Sequence, residues 1–181
     1  MNAVVIDDRA GGYRATKHLL DQGYLRIAHF SGSQHLNIYK HRRQSYEDAL
    51  SEQDLPVEAD LQIICNMKTA DGVSGMQQLL ALPQRPDAIF SASDLTLIGA
   101  LDELKEQGLR VPEDVGLMGF SNELFSRLTE PKLTSVDQHC ELMGQTATRL
   151  LLEIMHAQGQ PFAHRHVVLQ PKLLVRASSM R

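Results

Sequence analysis

The side chains best suited to chemistry in this sequence lie where short apolar segments end. The segment from Ile89 to Leu104 begins as an apolar strand, passes through Ser91, Ser93 and Asp94, and resumes as an amphipathic helix. Two interpretations of these polar residues stay open. In one, Ser91 or Ser93 caps the helix and Asp94 favours the helix dipole, with the cap worth roughly 0.5–2 kcal/mol. In the other, Ser93 and Asp94 lie on the rim of a binding crevice.

Other candidate chemical groups do not form a recognisable catalytic or metal site. Asp7 and Asp8 are adjacent, and neighbouring residues of a strand point to opposite faces, so we do not expect them to share a proton. One of them is expected to line the crevice instead. His164 and His166 fall on one face of a predicted edge strand, but two ligands without a third make a poor metal site. The sequence also lacks a nucleophile elbow, a Walker loop and a dinucleotide-binding glycine fingerprint, so it predicts neither an enzyme nor a metal or cofactor.

Composition and charge exclude further classes of function. The 181 residues are 43% hydrophobic and 22% charged, which is typical of a globular chain. A formal net charge of -4 provides no positive field for phosphate backbones or anionic membranes. Cys65 and Cys140 are too few for a disulfide framework, which fits a reducing cytosol. No apolar segment is long enough for a signal peptide or a membrane span, so we expect a cytoplasmic protein without a membrane partner.

The elements that position these residues alternate between strands and helices. Apolar segments predict strands at 3–6, 26–30, 61–65, 87–92, 115–120, 133–138, 166–170 and 172–178, with helices at 11–23, 39–51, 70–82, 95–108 and 138–156. This order predicts an α/β fold with a three-layer parallel sheet and helices on both faces. Ligands of such sheets bind beyond the carboxyl ends of the strands, and the loops at that edge are the polar ones in this sequence.

Five motifs, in order along almost the whole chain, resemble the LacI/GalR family of transcription factors. They read IDDRAGGYRATKHLLDQGYLRIAHFSG, RRQSYEDAL, RPDAIFSASDLTLIGALDELKEQGLRVPEDVGLMGF, PKLTSVDQHCELMGQTATRLLLEI and LVRASS. The resemblance implies the periplasmic-binding-protein fold, in which two half-domains close on an effector. It also implies a sugar-responsive regulator whose full-length form controls operator DNA.

The resemblance implies a division of the chain. Residues 1–134 would form the carboxyl-terminal half-domain, residues 135–160 would supply a crossing strand and a helix to the other half-domain, and residues 161–181 would return to the first. The DNA-binding headpiece and one wall of the ligand cleft would then be missing, and operator DNA would be bound only through that headpiece. Part of the apolar face of the helix near 140–155 would be exposed, and aggregation, rearrangement or oligomerisation would follow.

The family's sugar-binding arginine, in the pattern R-x-x-G-aromatic, falls on Arg42, although Ser45 replaces the glycine. Without the resemblance, Lys40, Arg42 and Arg43 would be interpreted as a solvated helix face. Met67 lies near a position that the family often fills with an aromatic residue that stacks on the ligand, whereas methionine more often fills gaps in a core. The full predicted ligand-binding set is Asp8, Arg42, Met67, Ser93, Asp94, Ser121, Asn122 and Gln138.

The clearest departure from the family pattern is at Ser121, which is followed by Asn122. The family usually has an aspartate there, and a neutral hydroxyl makes hydrogen bonds about half as strong as those of a carboxylate. Loss of that charge would also leave Arg42 less balanced. We therefore expect the effector to be either a less hydroxyl-dependent sugar or a sugar acid such as a uronate.

Two functions and one oligomeric state are predicted. The chain is either the effector-sensing part of a regulator or a stand-alone solute-binding protein of a sugar transporter, and the motifs VPEDVGLMGF and LVRASS favour the regulator.

The family usually dimerises through this half-domain. Leu95 and Ile98 lie beside the stripe formed by Leu97, Leu101 and Leu104, which suits a symmetric homodimer interface, although burial of both faces within one chain is the other interpretation.

Overall fold

The computed structural model describes residues 2–156 and 163–181. The strands are β1 (Ala3–Ile6), β2 (Ile27–Ser31), β3 (Gln62–Ile64), β4 (Ala88–Ser91), β5 (Gly116–Ser121), β6 (Thr134–Asp137), β7 (His166–Leu169) and β8 (Lys172–Leu174). The α-helices are α1 (Asp8–Asp21), α2 (Asn37–Ser51), α3 (Thr69–Leu80), α4 (Asp94–Glu106) and α5 (Cys140–His156). Short 3₁₀ helices span Ala59–Leu61, Leu124–Arg127 and Ala177–Ser179.

The main sheet has six strands in the order β3-β2-β4-β5-β6-β8. The first five are parallel, and β8 pairs antiparallel with β6. The predicted α/β fold is therefore confirmed, with one antiparallel strand added at an edge. The parallel arrangement brings the loops that follow β2, β3, β4, β5 and β6 to one edge of the sheet.

Helices cover both faces of the sheet, and alternate residues of each strand face opposite layers. On β4, Ile89 packs in the core formed with α3 and α4, whereas Phe90 packs in the core formed with α1 and α2. On β5, Leu117 and Met118 divide in the same way. Each central strand is apolar on both faces for this reason, because neither face meets water.

Strand β1 is not part of the main sheet. It pairs in parallel with β7, from Ala3 beside His166 to Ile6 beside Leu169, and forms a separate two-stranded sheet. The resemblance implies that residues 1–134 and 161–181 form one half-domain; in the structure β8 joins the main sheet, whereas β1 and β7 form the separate sheet.

The apolar face of α5 is largely exposed. Leu150 is the buried residue of this helix within the described part of the chain, whereas Leu142, Leu151, Leu152 and Met155 are 47–65% exposed. This exposure agrees with the prediction from the sequence. Among the helices of residues 2–156 and 163–181, none has the length and apolarity needed to cross a membrane.

Candidate functional site

Arg42 lies inside the fold and is only 3% exposed, so the interpretation as part of a solvated helix face is wrong for this residue. Its Nε and Nη2 atoms donate to Oδ1 of Asp8 at 2.8 and 2.6 Å, and its Nη1 donates to the carbonyl oxygen of Ala92 at 2.7 Å. The guanidinium carbon lies 3.5 Å from the centre of the Phe120 ring. These contacts hold the guanidinium group in one orientation.

Gln138 connects Arg42 to the end of β5. Its Oε1 accepts from Nη2 of Arg42 at 3.3 Å, and its Nε2 donates to Oγ of Ser121 at 2.7 Å. A continuous polar chain therefore runs from Asp8 through Arg42 and Gln138 to Ser121. Its members come from α1, α2, the segment after β6 and the end of β5, so the structure brings together residues that lie far apart in sequence.

Asp8 balances the positive charge of Arg42, which the sequence analysis did not predict. Burial lowers the pKa of the Arg42 guanidinium, while the charge and hydrogen bonds of Asp8 and the charge of Asp94 oppose that shift. The side chains of Arg42 and Asp8 are 4% and 8% exposed, which makes this a buried ion pair. Although Ser121 is neutral, Arg42 therefore has a negative partner within the protein and does not need a ligand acid to balance its charge. The argument for a uronate effector loses its basis.

The carboxylate of Asp94 points into the fold rather than to the rim. It is fully buried and accepts hydrogen bonds from the backbone N–H of Glu123 at 2.9 Å, from Oγ of Ser126 at 2.8 Å, and from Oγ of Ser135 at 2.8 and 2.9 Å. Burial raises the pKa of Asp94, and these hydrogen bonds lower it. In this structure Asp94 joins α4 to β6 and to the loop after β5, and its acceptor positions are occupied by protein donors.

The serines at the start of α4 act as a local cap. Oγ of Ser93 accepts from the backbone N–H of Leu95 at 3.2 Å, and Oγ of Ser91 donates to the carbonyl oxygen of Ser93 at 2.7 Å. The capping interpretation is confirmed for Ser93. The rim interpretation of Ser93 stays a prediction.

Asn122 and Met67 are also at the carboxyl edge, but neither contacts Arg42. Oδ1 of Asn122 accepts from Nη2 of Arg176 at 2.7 Å. Met67 is buried, with its sulfur 3.7 Å from that of Cys65. Ser121, Asn122 and Met67 have φ angles of 121°, 53° and 60°, a region that costs non-glycine residues about 1–3 kcal/mol each.

Arg176 holds the side chain of Asn122, and the sequence analysis did not single it out. Besides Asn122, it donates through Nη1 to the carbonyl oxygen of Leu133 at 2.6 Å, and it belongs to the LVRASS motif. Its partners lie 54 and 43 residues away, so no local pattern could have paired them.

A cavity of about 530 Å³ adjoins the polar chain, within the size range of small-molecule sites. Its lining residues are Val4, Val5, Ile6, Asp8, Asn37, Ile38, His41, Gln138, Met143 and His166. Asp8 and Gln138 thus contact Arg42 on one side and the cavity on the other. Within residues 2–156 and 163–181, no group of three or more histidine, cysteine or acidic side chains could hold a metal ion.

The fold and this polar cluster define an α/β domain with a candidate ligand site at the edge of a parallel sheet. A family model described as a periplasmic binding protein-like domain matches residues 16–179, and the chain belongs to that family. The HTH-type transcriptional repressor PurR of Mannheimia succiniciproducens is 34% identical over 169 residues, which cover 93% of this chain and 50% of the repressor.

Two solved structures extend this relationship. A transcriptional regulator CelR–cellobiose complex matches with a TM-score of 0.91 and 35% identity, covering 98% of this chain and 54% of that one. A LacI family transcriptional regulator from Enterococcus faecium with bound ribose matches with a TM-score of 0.89 and 27% identity, covering 98% and 65%. The resemblance to LacI/GalR regulators is confirmed. The chain spans about half the length of the curated relatives that it matches.

Proposed function

We propose that this chain is the effector-sensing part of a LacI-type transcriptional regulator and that it binds a sugar. The observation that carries the proposal is the polar chain of Asp8, Arg42, Gln138 and Ser121 beside the 530 Å³ cavity. Sugar hydroxyls both donate and accept hydrogen bonds, and this cluster offers a carboxylate, an amide and a hydroxyl at one place. Relatives of this chain have been solved with cellobiose and with ribose.

The proposed mechanism is closure of two half-domains on the ligand. Asp8 follows β1, and Gln138 precedes α5, so both lie where the chain passes between the main sheet and the unit formed by β1, β7 and α5. A ligand that contacts both parts would favour one relative orientation and shift a two-state equilibrium. In the full-length regulator that shift would reach operator DNA through a separate headpiece. The proposal divides the chain into two units, with boundaries near residues 134 and 160. It assigns β1 and β7, together with α5, to the second unit.

A homodimer is proposed on the surface at the start of α4. Leu97, Leu101 and Leu104 are buried against the sheet, so they are not available to a partner. Leu95, Leu124 and Leu128 are 45%, 64% and 76% exposed. The N–H of Glu123 and Oγ of Ser126 donate to Asp94, which ties the start of α4 to the segment that carries Leu124. An exposed apolar patch of this kind suits an isologous interface.

Binding without catalysis, in the cytoplasm, is the role that we propose for the chain. The relatives are named as transcriptional regulators and repressors, which favours a regulator over the solute-binding protein of a transporter and over an enzyme.

The test is ligand-dependent thermal stability of the wild-type chain, of Arg42→Gln and of Arg43→Gln. Arg43 is a matched control because it is the next residue of α2 but pairs with Glu47 in a partly exposed ion pair away from Asp8. At least one neutral sugar from a panel that includes cellobiose and ribose should raise the melting temperature of the wild type and of Arg43→Gln. Arg42→Gln should bind that sugar about ten- to a hundredfold more weakly, because Asp8 and Gln138, which line the cavity, lose the buried cation that holds them in place. A sugar response that survives unchanged in Arg42→Gln, or no response in any chain, contradicts the proposal.

A further inference from the structure

We propose that Asp8 is a built-in counter-ion, which occupies the place of a ligand carboxylate on Arg42 and restricts the site to uncharged ligands. This inference rests on the proposed function, because it concerns the class of effector that the same site accepts. It adds a specificity-determining residue to the site. The argument comes from the geometry of the guanidinium group, the charges around it and the position of Asp8 in the cavity wall.

The guanidinium group has no free edge for an incoming carboxylate. A carboxylate binds arginine best through two parallel N–H donors. Asp8 takes the edge formed by Nε and Nη2, and both atoms donate to its Oδ1. The other edge is taken by the carbonyl oxygen of Ala92 and by Oε1 of Gln138, and Phe120 covers one face. A ligand acid would have to displace one of these partners.

The charges around Arg42 also oppose an anionic ligand. The Asp8 carboxylate touches Arg42 directly, and the charge of the buried Asp94 also acts on it. A second anion in this poorly solvated place would meet like charges at short range. An alcohol has no such penalty, because its O–H can donate to Asp8 while its oxygen accepts from the amide of Gln138. Both residues line the cavity, so both are on the ligand side of the cluster.

Chemical rescue tests whether Asp8 occupies a position beside Arg42 that a free carboxylate can also occupy. Asp8→Ala leaves Arg42 without its acid, and acetate is small enough to enter the space that the side chain leaves. We expect sodium acetate to raise the melting temperature of Asp8→Ala by about 5 °C over sodium chloride at the same ionic strength and pH 7. The wild type should respond equally to the two salts.

Two variants control for a general salt effect. Asp48→Ala removes an acid from another pair between α1 and α2, in which Arg9 and Asp48 are about half exposed, and it should show no preference for acetate. Asp8→Ala combined with Arg42→Gln should lose the acetate response, because the cation is gone. An acetate response of equal size in the wild type or in the double variant overturns the proposal, as does the absence of a response in a folded Asp8→Ala.

The wild-type chain supplies a second measurement that does not depend on the folding of a variant. It is tested against the pairs glucose and glucuronate, galactose and galacturonate, and cellobiose and cellobiuronate. Where the neutral member stabilises the chain, we expect its acid partner to bind at least about tenfold more weakly. An acid that binds as well as its neutral partner overturns the proposal. If no sugar stabilises the wild type, the proposed function fails, while the acetate experiment still decides the role of Asp8.

Discussion

At the residue scale, two buried charged groups, Asp94 and Arg42, are held by partners that are remote in sequence. Asp94 receives donors from the loop after β5 and from β6, and Arg42 pairs with an acid at the start of α1. The family resemblance singled out Arg42 as a ligand-binding residue, and the position of Asp94 after a buried strand left a helix-dipole role and a crevice rim open. The sequence could not predict that Asp94 faces inward or that Asp8 pairs with Arg42, because both outcomes depend on which loops meet at the sheet edge.

Replacing Asp94 should weaken the fold rather than only a binding step. In Asp94→Ala, the N–H of Glu123 and the hydroxyls of Ser126 and Ser135 lose a buried acceptor, which should lower the free energy of unfolding by about 2–4 kcal/mol. Urea denaturation measures the change. Asp102→Ala, at an exposed position of the same helix, is the control and should change the stability by less than about 0.5 kcal/mol. Equal stability of the two variants would contradict the structural role of Asp94.

His29 should make the fold sensitive to acid. It is buried on β2, its ring stacks on Tyr46 and Phe90 at 5.0 and 4.7 Å, and its Nδ1–H donates to the carbonyl oxygen of Phe90. Burial lowers its pKa from 6.5 to about 4. Between these values the unfolded chain binds a proton that the folded chain does not, so stability is complete above pH 6.5 and falls by about 3 kcal/mol as the pH drops to about 4.

The measurement is urea unfolding at pH 7, 5.5 and 4. His29→Phe keeps a stacked ring but cannot bind a proton, so its stability should fall less steeply over this range than that of the wild type. His35→Phe, at an exposed position, should retain the wild-type slope. A wild-type slope in His29→Phe would show that other groups cause the acid sensitivity.

At the element scale, the alternation of strands and helices was predictable, but the close packing of helices and the partners of the terminal strands were not. The apolar period of each segment is a local property, and it correctly predicted every described α-helix to within a few residues. Helices α3 and α4 approach closely because Gly72 and Gly99 meet the backbone of the other helix. An added Cβ would lie 1.9 Å from the carbonyl oxygen of Thr96 or Thr69.

Gly72→Ala should therefore be destabilising although alanine favours helices. The methyl group would overlap the backbone of α4, so α3 and α4 must separate. We expect the free energy of unfolding to fall by about 1–3 kcal/mol. Gly144→Ala on α5 is the matched control, since its added Cβ meets no atom within 4 Å. That variant should be stabilised by about 0.5–1 kcal/mol. Thermal denaturation compares the two, and a Gly72→Ala variant as stable as the wild type would show that the helices do not need this contact.

At the scale of the whole molecule, the exposed apolar face of α5 should cause self-association. Leu151 and Met155 contribute to this face and are 57% and 65% exposed. Each Å² of apolar surface removed from water contributes about 25 cal/mol, so association of this face is favourable. Leu151→Gln combined with Met155→Gln should shift sedimentation velocity profiles towards smaller species at a given concentration.

The proposed dimer surface provides the comparison. Leu95→Gln with Leu128→Gln should remove a discrete dimer but leave higher association through α5 unchanged. If neither pair of substitutions alters the sedimentation profile, both surfaces are excluded as contacts between copies of this chain.

The sequence by itself determined the class of fold, the family, and the edge of the sheet at which the polar residues collect. Those properties follow from the periodicity of apolar residues and from motifs, and both can be identified within single segments of the sequence. Only the tertiary structure decided that β1 pairs with β7, that Asp94 is an internal acceptor and that Asp8 neutralises Arg42. These outcomes depend on contacts between segments separated by tens to more than a hundred residues. The energy of such contacts comes from burial and charge pairing in the folded chain. The spacing of neighbouring residues therefore does not predict them.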